Sequence, residues 1–289
     1  MEESVVADFV GRIHTSDIGG DEPVTGRVLL SQRRLVLVGS DTKTTIPLSR
    51  VFDVAVGTVP NDLRSFFSDT VTIAYEHGST RRTAVVEGEP DDMDRFTRVL
   101  FKALLRDVTV TVRHPAMVGG RVTDAPEQTA SVSLSPGAVR FVDCSTPFTV
   151  DLSTVTDYER TDRTLDGKTR PALVFRHVSE GRTLTSIATV PDGRTLNVLG
   201  RYIKLEYSEV MAEVEELDPT TEQLETLVSV YSAGGEASIS DVVTGDATRT
   251  SMVLESLRAD GLVVDGETGI VLTRKGRMAV NTYLESVNA

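Results

Sequence analysis

Residues 26–54 read GRVLLSQRRLVLVGSDTKTTIPLSRVFDV, and residues 130–158 read ASVSLSPGAVRFVDCSTPFTVDLSTVTDY. At an offset of 104 the two stretches align without a gap. Ten of the 29 positions are identical: Val28/Val132, Leu30/Leu134, Ser31/Ser135, Val38/Val142, Thr42/Thr146, Thr45/Thr149, Leu48/Leu152, Ser49/Ser153, Val51/Val155 and Asp53/Asp157. Unrelated sequences of typical composition would share roughly two. Mismatches such as Leu35/Val139, Leu37/Phe141 and Ile46/Val150 stay apolar. A period of this length is a duplicated domain and not a solenoid repeat. One difference stands out: Arg33-Arg34 in the first copy faces Gly137-Ala138 in the second.

Within each copy, V-x-L, then L-x-L-V or V-x-F-V, then T-x-I-x-L or T-x-V-x-L alternates apolar and polar residues with period 2. That is the mark of half-buried antiparallel strands. A hairpin follows each, at 70–88 and at 171–190, with polar, glycine-containing turns. The period then changes to that of a helix. Met93, Phe96, Val99, Leu100 and Leu104 share one face, and so do Leu196, Leu199, Ile203 and Leu205. Pro90 and Pro191 suit the first turns of these helices. A curved sheet with one end plugged by an amphipathic helix is the pleckstrin-homology-like plan. The expected fold is therefore α+β: two tandem pleckstrin-homology-like β-barrel/helix domains at 1–106 and 107–206.

Residues 207–218 are acidic and helical in pattern, and Pro219 marks a stop; they read as a linker with a solvated face. Residues 219–289 differ in kind. TTEQLETLVSVYSAGG, SISDVVTG and DATRTSMVLESLRADG predict three helices, LVVDGETGIVLTR a hairpin and KGRMAVNTYLESV a closing helix. Three helices and a hairpin wing describe a winged helix-turn-helix.

Charge weighs against this domain's reading DNA. From Thr220 onward five bases (Arg249, Arg258, Arg274, Lys275, Arg277) meet ten acids, for a net charge of -5. The third helix mixes Arg249 and Arg258 with Asp246, Glu255 and Asp260, and the wing tip carries Asp265 and Glu267. A DNA-reading face concentrates basic residues. A docking or structural role fits better, and nucleic acid is not an expected partner.

The whole chain has 289 residues and a net charge of -13, with no tryptophan and bases that are mostly arginine. This is the profile of a salt-adapted cytoplasmic protein and points to a haloarchaeal source. At molar salt the Debye length falls to about 3 Å, which weakens long-range attraction to phosphate. The single cysteine, Cys144, cannot form an internal disulfide or a thiol metal site, and Asp143 beside it disfavours the thiolate. The N-terminus lacks a signal-peptide layout, and no apolar run approaches the length of a membrane span. The histidines at 14, 77, 114 and 177 show no metal-binding spacing; His77 and His177 fall at like positions in the two hairpins, as shared ancestry would leave them. Phosphate-loop and nucleophile-elbow motifs are missing. No enzyme, cofactor or metal is expected.

Two candidate surfaces remain. Arg274, Lys275 and Arg277 form the densest basic cluster of the last domain, beside a closing helix that carries Met278, Val280, Tyr283, Leu284 and Val287. This is either a helix start over a packed core or a patch for an acidic partner. Arg33 and Arg34 sit at a hairpin turn where pleckstrin-homology domains hold lipid phosphates; an exposed turn is the simpler reading.

The segments ESVVADFVGRI, GRVLLSQRRLVLV, TTIPLSRVFDV and VRHPAMVGGRV, with the C-terminal winged helix, resemble the archaeal taxis protein family CheF. The resemblance covers essentially the whole chain, through structural and not catalytic motifs. It implies a cytoplasmic adaptor at the base of the archaellum. Such an adaptor joins the phosphorylated response regulator CheY, with CheD and CheC-type proteins, to the archaellum switch and so controls rotation direction. CheY is then expected on the Arg274–Val287 region, and the duplicated part serves a homodimer and the motor side. The alternative is a winged-helix transcription regulator with pleckstrin-homology-like sensory domains.

Overall fold

The structure is a computed structural model. It describes residues 4–288 except 17, 19–21, 59–62, 64–65, 68, 180–181, 235, 239–246 and 267–268; the side chains of 247 and 285–288 also lie outside it. The chain divides into two compact units, 1–109 with 190–205, and 110–189 with 206–289.

In the first unit seven strands form one antiparallel sheet: β1 (Val5–Thr15), β2 (Val24–Ser31), β3 (Arg34–Val38), β4 (Lys43–Pro47), β5 (Val51–Val56), β6 (Val71–His77) and β7 (Thr80–Glu87). Their order is β4-β3-β2-β1-β7-β6-β5. Alternation places Val28, Leu30, Leu35, Leu37 and Ile46 on the buried face. Helix α1 (Pro90–Leu104) covers it with Met93, Phe96, Leu100 and Phe101, and the Phe96 ring meets Phe9 edge-on at 5.5 Å. Pro90 occupies the first turn as expected.

In the second unit the same order recurs as β12-β11-β10-β8-β15-β14-β13, with β9 paired outside β8. The strands are β8 (Thr109–Val118), β9 (Arg121–Val122), β10 (Glu127–Ser135), β11 (Ala138–Val142), β12 (Phe148–Asp151), β13 (Val155–Leu165), β14 (Lys168–Ser179) and β15 (Arg182–Thr189). Duplication thus extends beyond the aligned stretch to the whole sheet. It holds at the level of single bonds: Leu48 N donates to Arg33 O, and Leu152 N donates to Gly137 O, both at 2.8 Å.

The sheets are not closed barrels. No ladder joins β4 to β5 or β12 to β13 among the described residues. Between each such pair a 3-10 turn, Leu48–Arg50 or Leu152–Thr154, carries the chain round a corner. Closure requires the end strands to lie side by side, and this corner separates them.

Helix α2 runs Gly193–Glu215 without a break, so the predicted second helix and the acidic linker are one element. Asp192 caps it by accepting from Thr195 N at 2.7 Å, which places Pro191 ahead of the helix and not in its first turn. Its residues up to 205 belong to the first unit, where Tyr202 lies 5.7 Å from Phe101. Beyond 205 its acidic face is solvated, yet Val210 and Val214 are buried in the core of the C-terminal part.

That C-terminal core unites α2 with α3 (Thr221–Ser232), α4 (Ala247–Ala259), α5 (Arg274–Asn288) and a small sheet ordered β16-β18-β17. The strands are β16 (Glu236–Ala237), β17 (Val263–Asp265) and β18 (Ile270–Leu272). Leu227, Val230, Leu257, Ile270, Met278 and Val280 fill its centre. A capping box between Thr220 and Gln223 starts α3. The helix expected at SISDVVTG falls almost entirely outside the described residues.

Candidate partner-binding surfaces

The Arg33-Arg34 turn and its counterpart have different surroundings. In the first copy Ser31 Oγ accepts from Arg34 N at 3.1 Å and donates to Arg34 O at 3.0 Å, which closes the turn locally. Both arginines are exposed. In the second copy the turn is the seat of another element. Gly137 has φ of +71°, a conformation that favours glycine. Its N–H donates to Glu206 Oε2 at 2.6 Å. The same oxygen accepts from Arg274 Nη1 at 3.0 Å, while Arg274 Nη2 donates to the Glu206 carbonyl. A Cβ on residue 137 would lie 2.9 Å from Arg274 Cδ and Nη1. The backbone angle therefore favours glycine, and a side chain here would have to push the guanidinium from its place.

This geometry reassigns Arg274. The Glu206 side chain is 5% exposed and that of Arg274 23%. A buried carboxylate needs a cation and donors around it. Arg274 supplies them and fastens the start of α5 to both α2 and the β10–β11 turn. Two turns further on, Asn281 Nδ2 donates to Ser153 O at 3.4 Å. The corresponding corner of the first sheet is held by α2: Arg194 donates to the carbonyls of Leu48, at 2.5 Å, and Val51, while Arg201 pairs with Asp53 at 2.9 Å.

Within the rest of the predicted cluster, Met278 and Val280 are buried core residues, and Leu284 packs half-buried against that core. Tyr283 is half-buried, and the Val287 side chain lies outside the described residues. Lys275 and Arg277 are half-buried and form no ion pair among the described residues. Lys275 lines a shallow depression with Glu213 and Asp260. Arg277 lines a pocket of about 290 Å3 with Thr149, Asp151, His177 and Tyr231. Burial raises the Tyr231 phenol above its usual range, and the nearby Arg277 charge opposes the shift.

Spacing gave no sign of the group at this pocket's floor. His177 is 3% exposed, and its Nε2 lies 2.9 Å from Ser186 Oγ. His114 Nδ1 reaches the same oxygen at 2.7 Å. One hydroxyl can donate to only one imidazole, so the other ring must donate to it. His114 also stacks on Phe148 at 3.9 Å. Burial, followed by the charge of His177, lowers the His114 pKa to about 4; burial lowers that of His177, opposed by Asp151. Strand register corrects the expected likeness of His77 and His177. Val51 pairs with Tyr75 and Val155 with His177, so Tyr75 is the counterpart of His177. His77 is exposed at its hairpin end opposite Thr80. Among the described residues no group of three or more His, Cys, Asp or Glu side chains is placed to hold a metal ion.

On α4, the helix expected to enter a groove, both arginines are engaged. Arg249 pairs with Glu222 at 2.6 Å and Arg258 with Asp265 at 2.7 Å. No helix among the described residues is long and apolar enough to cross a membrane.

Repeated antiparallel sheets with helix-clamped corners, and a helical C-terminal part bearing charged and apolar faces, define an α+β protein. The chain belongs to the archaeal chemotaxis signal transduction system protein F family, whose model matches residues 5–209. It is 45% identical over 289 residues to taxis protein CheF2 of Halobacterium salinarum, covering 100% of both chains. It is 27% identical over 233 residues to taxis protein CheF1 of the same organism, covering 80% of this chain and 78% of that protein. It is thus a CheF taxis protein of archaeal chemotaxis.

Proposed function

We propose that the chain is a non-enzymatic adaptor. It binds phosphorylated CheY, together with CheD and CheC-type proteins, and links them to the archaellum switch, setting the direction of rotation in chemotaxis and phototaxis. It acts in the cytoplasm at the base of the archaellum. Its two sheet regions are pleckstrin-homology-like domains at 1–106 and 107–206, followed by a helical linker at 207–218, which continues α2, and a winged-helix domain at 219–289. The sheets serve a homodimer and the motor side.

The observation that carries the placement of CheY is the pair Lys275 and Arg277. Both are without an ion pair among the described residues, in a domain whose net charge is -5. An acidic regulator surface would meet them with Tyr283 alongside. Phosphorylation that shifts CheY toward a fitting surface turns signal into occupancy. The transcription-regulator reading requires cations free to meet phosphate, and Arg249 and Arg258 are already paired with acids. A pull-down from motile cells tests the role. Recovery of CheY, CheD or archaellum switch proteins supports it; DNA retained in their absence overturns it.

A further inference from the structure

The C-terminal part has a second face, chemically opposite to the one at Lys275 and Arg277. The end of α2, the chain leading into α3, and α4 enclose an open groove of roughly 610 Å3. Its apolar lining is Leu217, Pro219, Met252, Val253 and Leu262. Met252 is 66% exposed in the middle of α4, between the exposed Ser251 and the half-buried Val253. A methionine so placed is a flexible apolar surface that adapts to a partner's side chains. The charged groups on the same groove are Glu216, Asp218, Glu222, Asp260 and Arg249. Arg249 is neutralised by Glu222 at 2.6 Å, so the remaining field is that of carboxylates.

We infer that this groove is a docking site for a basic protein segment: an apolar side chain seated on Met252 and Leu217, flanked by lysine or arginine that meets Asp218, Glu216 and Asp260. An amphipathic helix laid in a groove uses this combination of anchor and complementary rim. Nucleic acid and acidic protein surfaces are excluded by the same carboxylates. The inference does not depend on where CheY binds, because neither Lys275 nor Arg277 lines this groove; Asp260 alone borders both it and the depression at Lys275. It gives the domain two sites of opposite charge.

The test uses the full chain and a fluorescent model peptide, a helix with two leucine anchors flanked by lysines, compared with its glutamate-flanked twin. The lysine peptide should bind at least tenfold more tightly than the glutamate peptide. Met252→Ser should weaken it at least fivefold, and Asp218→Lys with Asp260→Lys should reverse the preference. Met252 and Asp218 are exposed and Asp260 is half-buried, and unchanged circular dichroism would show that the variants fold. Equal binding of the two peptides, or lysine-peptide binding that neither variant alters, would overturn the inference. Arg277→Glu, at a residue that lines neither the groove nor the depression at Asp260, should leave peptide binding unchanged, which separates this site from the CheY proposal.

Discussion

Replacing Arg274 by methionine removes the only cation bonded to the Glu206 carboxylate among the described contacts, and leaves that carboxylate with the Gly137 N–H alone. Methionine keeps most of the stem volume, so the change is chiefly electrostatic. Removing one partner of a buried ion pair costs about 3–5 kcal/mol, because the other charge stays behind uncompensated. Arg274 is 23% exposed, so the lower end, about 3 kcal/mol, is expected here. Glu206→Gln with Arg274→Met should cost far less, about 1 kcal/mol, because an amide oxygen still accepts from Gly137 and no charge is stranded. Glu206→Gln alone strands the Arg274 charge and also costs something, so the coupling between the two positions is at least about 2 kcal/mol. A global melt of a two-unit chain blurs such a change. Hydrogen exchange of the Gly137 amide reads it locally, and about 3 kcal/mol is more than a hundredfold in exchange rate. If Arg274→Met speeds that exchange by less than tenfold, or if the double variant is as fast as the single, the clamp does not hold the turn in the way described.

Gly137→Ala combines a positive φ with a Cβ 2.9 Å from Arg274; urea titration should show a loss of about 1–3 kcal/mol. Arg33→Ala with Arg34→Ala alters an exposed turn and should change stability by less than about 1 kcal/mol, without altering liposome co-sedimentation. His114 takes its proton near 6.5 when unfolded and near 4 in the fold. Its contribution to stability is therefore complete above about pH 6.5 and fades as pH falls toward 4, by about 1–2 kcal/mol once partial solvent exposure is allowed for. His114→Phe should flatten the urea midpoint across that window. Lys275→Glu with Arg277→Glu should weaken CheY binding at least tenfold by titration calorimetry while leaving the circular dichroism spectrum unchanged.

Period-2 alternation made the strands legible, and an ungapped offset made the duplication legible down to Leu48 and Leu152 at the same corner. What the sequence could not show was which groups meet across the fold. Arg274 looks like a free cation beside other cations because its partner, Glu206, lies 68 positions away at the end of a pattern that reads as the second domain's closing helix. Gly137-Ala138 reads as the loss of an arginine pair; in three dimensions it is the making of a seat for Arg274. His114 and His177 share Ser186 because β8, β15 and β14 are neighbours, a fact of topology and not of spacing. Barrel closure was an extrapolation from alternation, which reports which face is buried and says nothing about whether the end strands meet.

Titration of the full chain with purified CheY, with and without beryllofluoride to mimic the phosphoryl group, tests the adaptor account most directly. Binding at least tenfold tighter with the mimic, abolished by Lys275→Glu with Arg277→Glu, is the result it predicts. Binding that is absent, or that ignores both the mimic and the charge reversal, would contradict it.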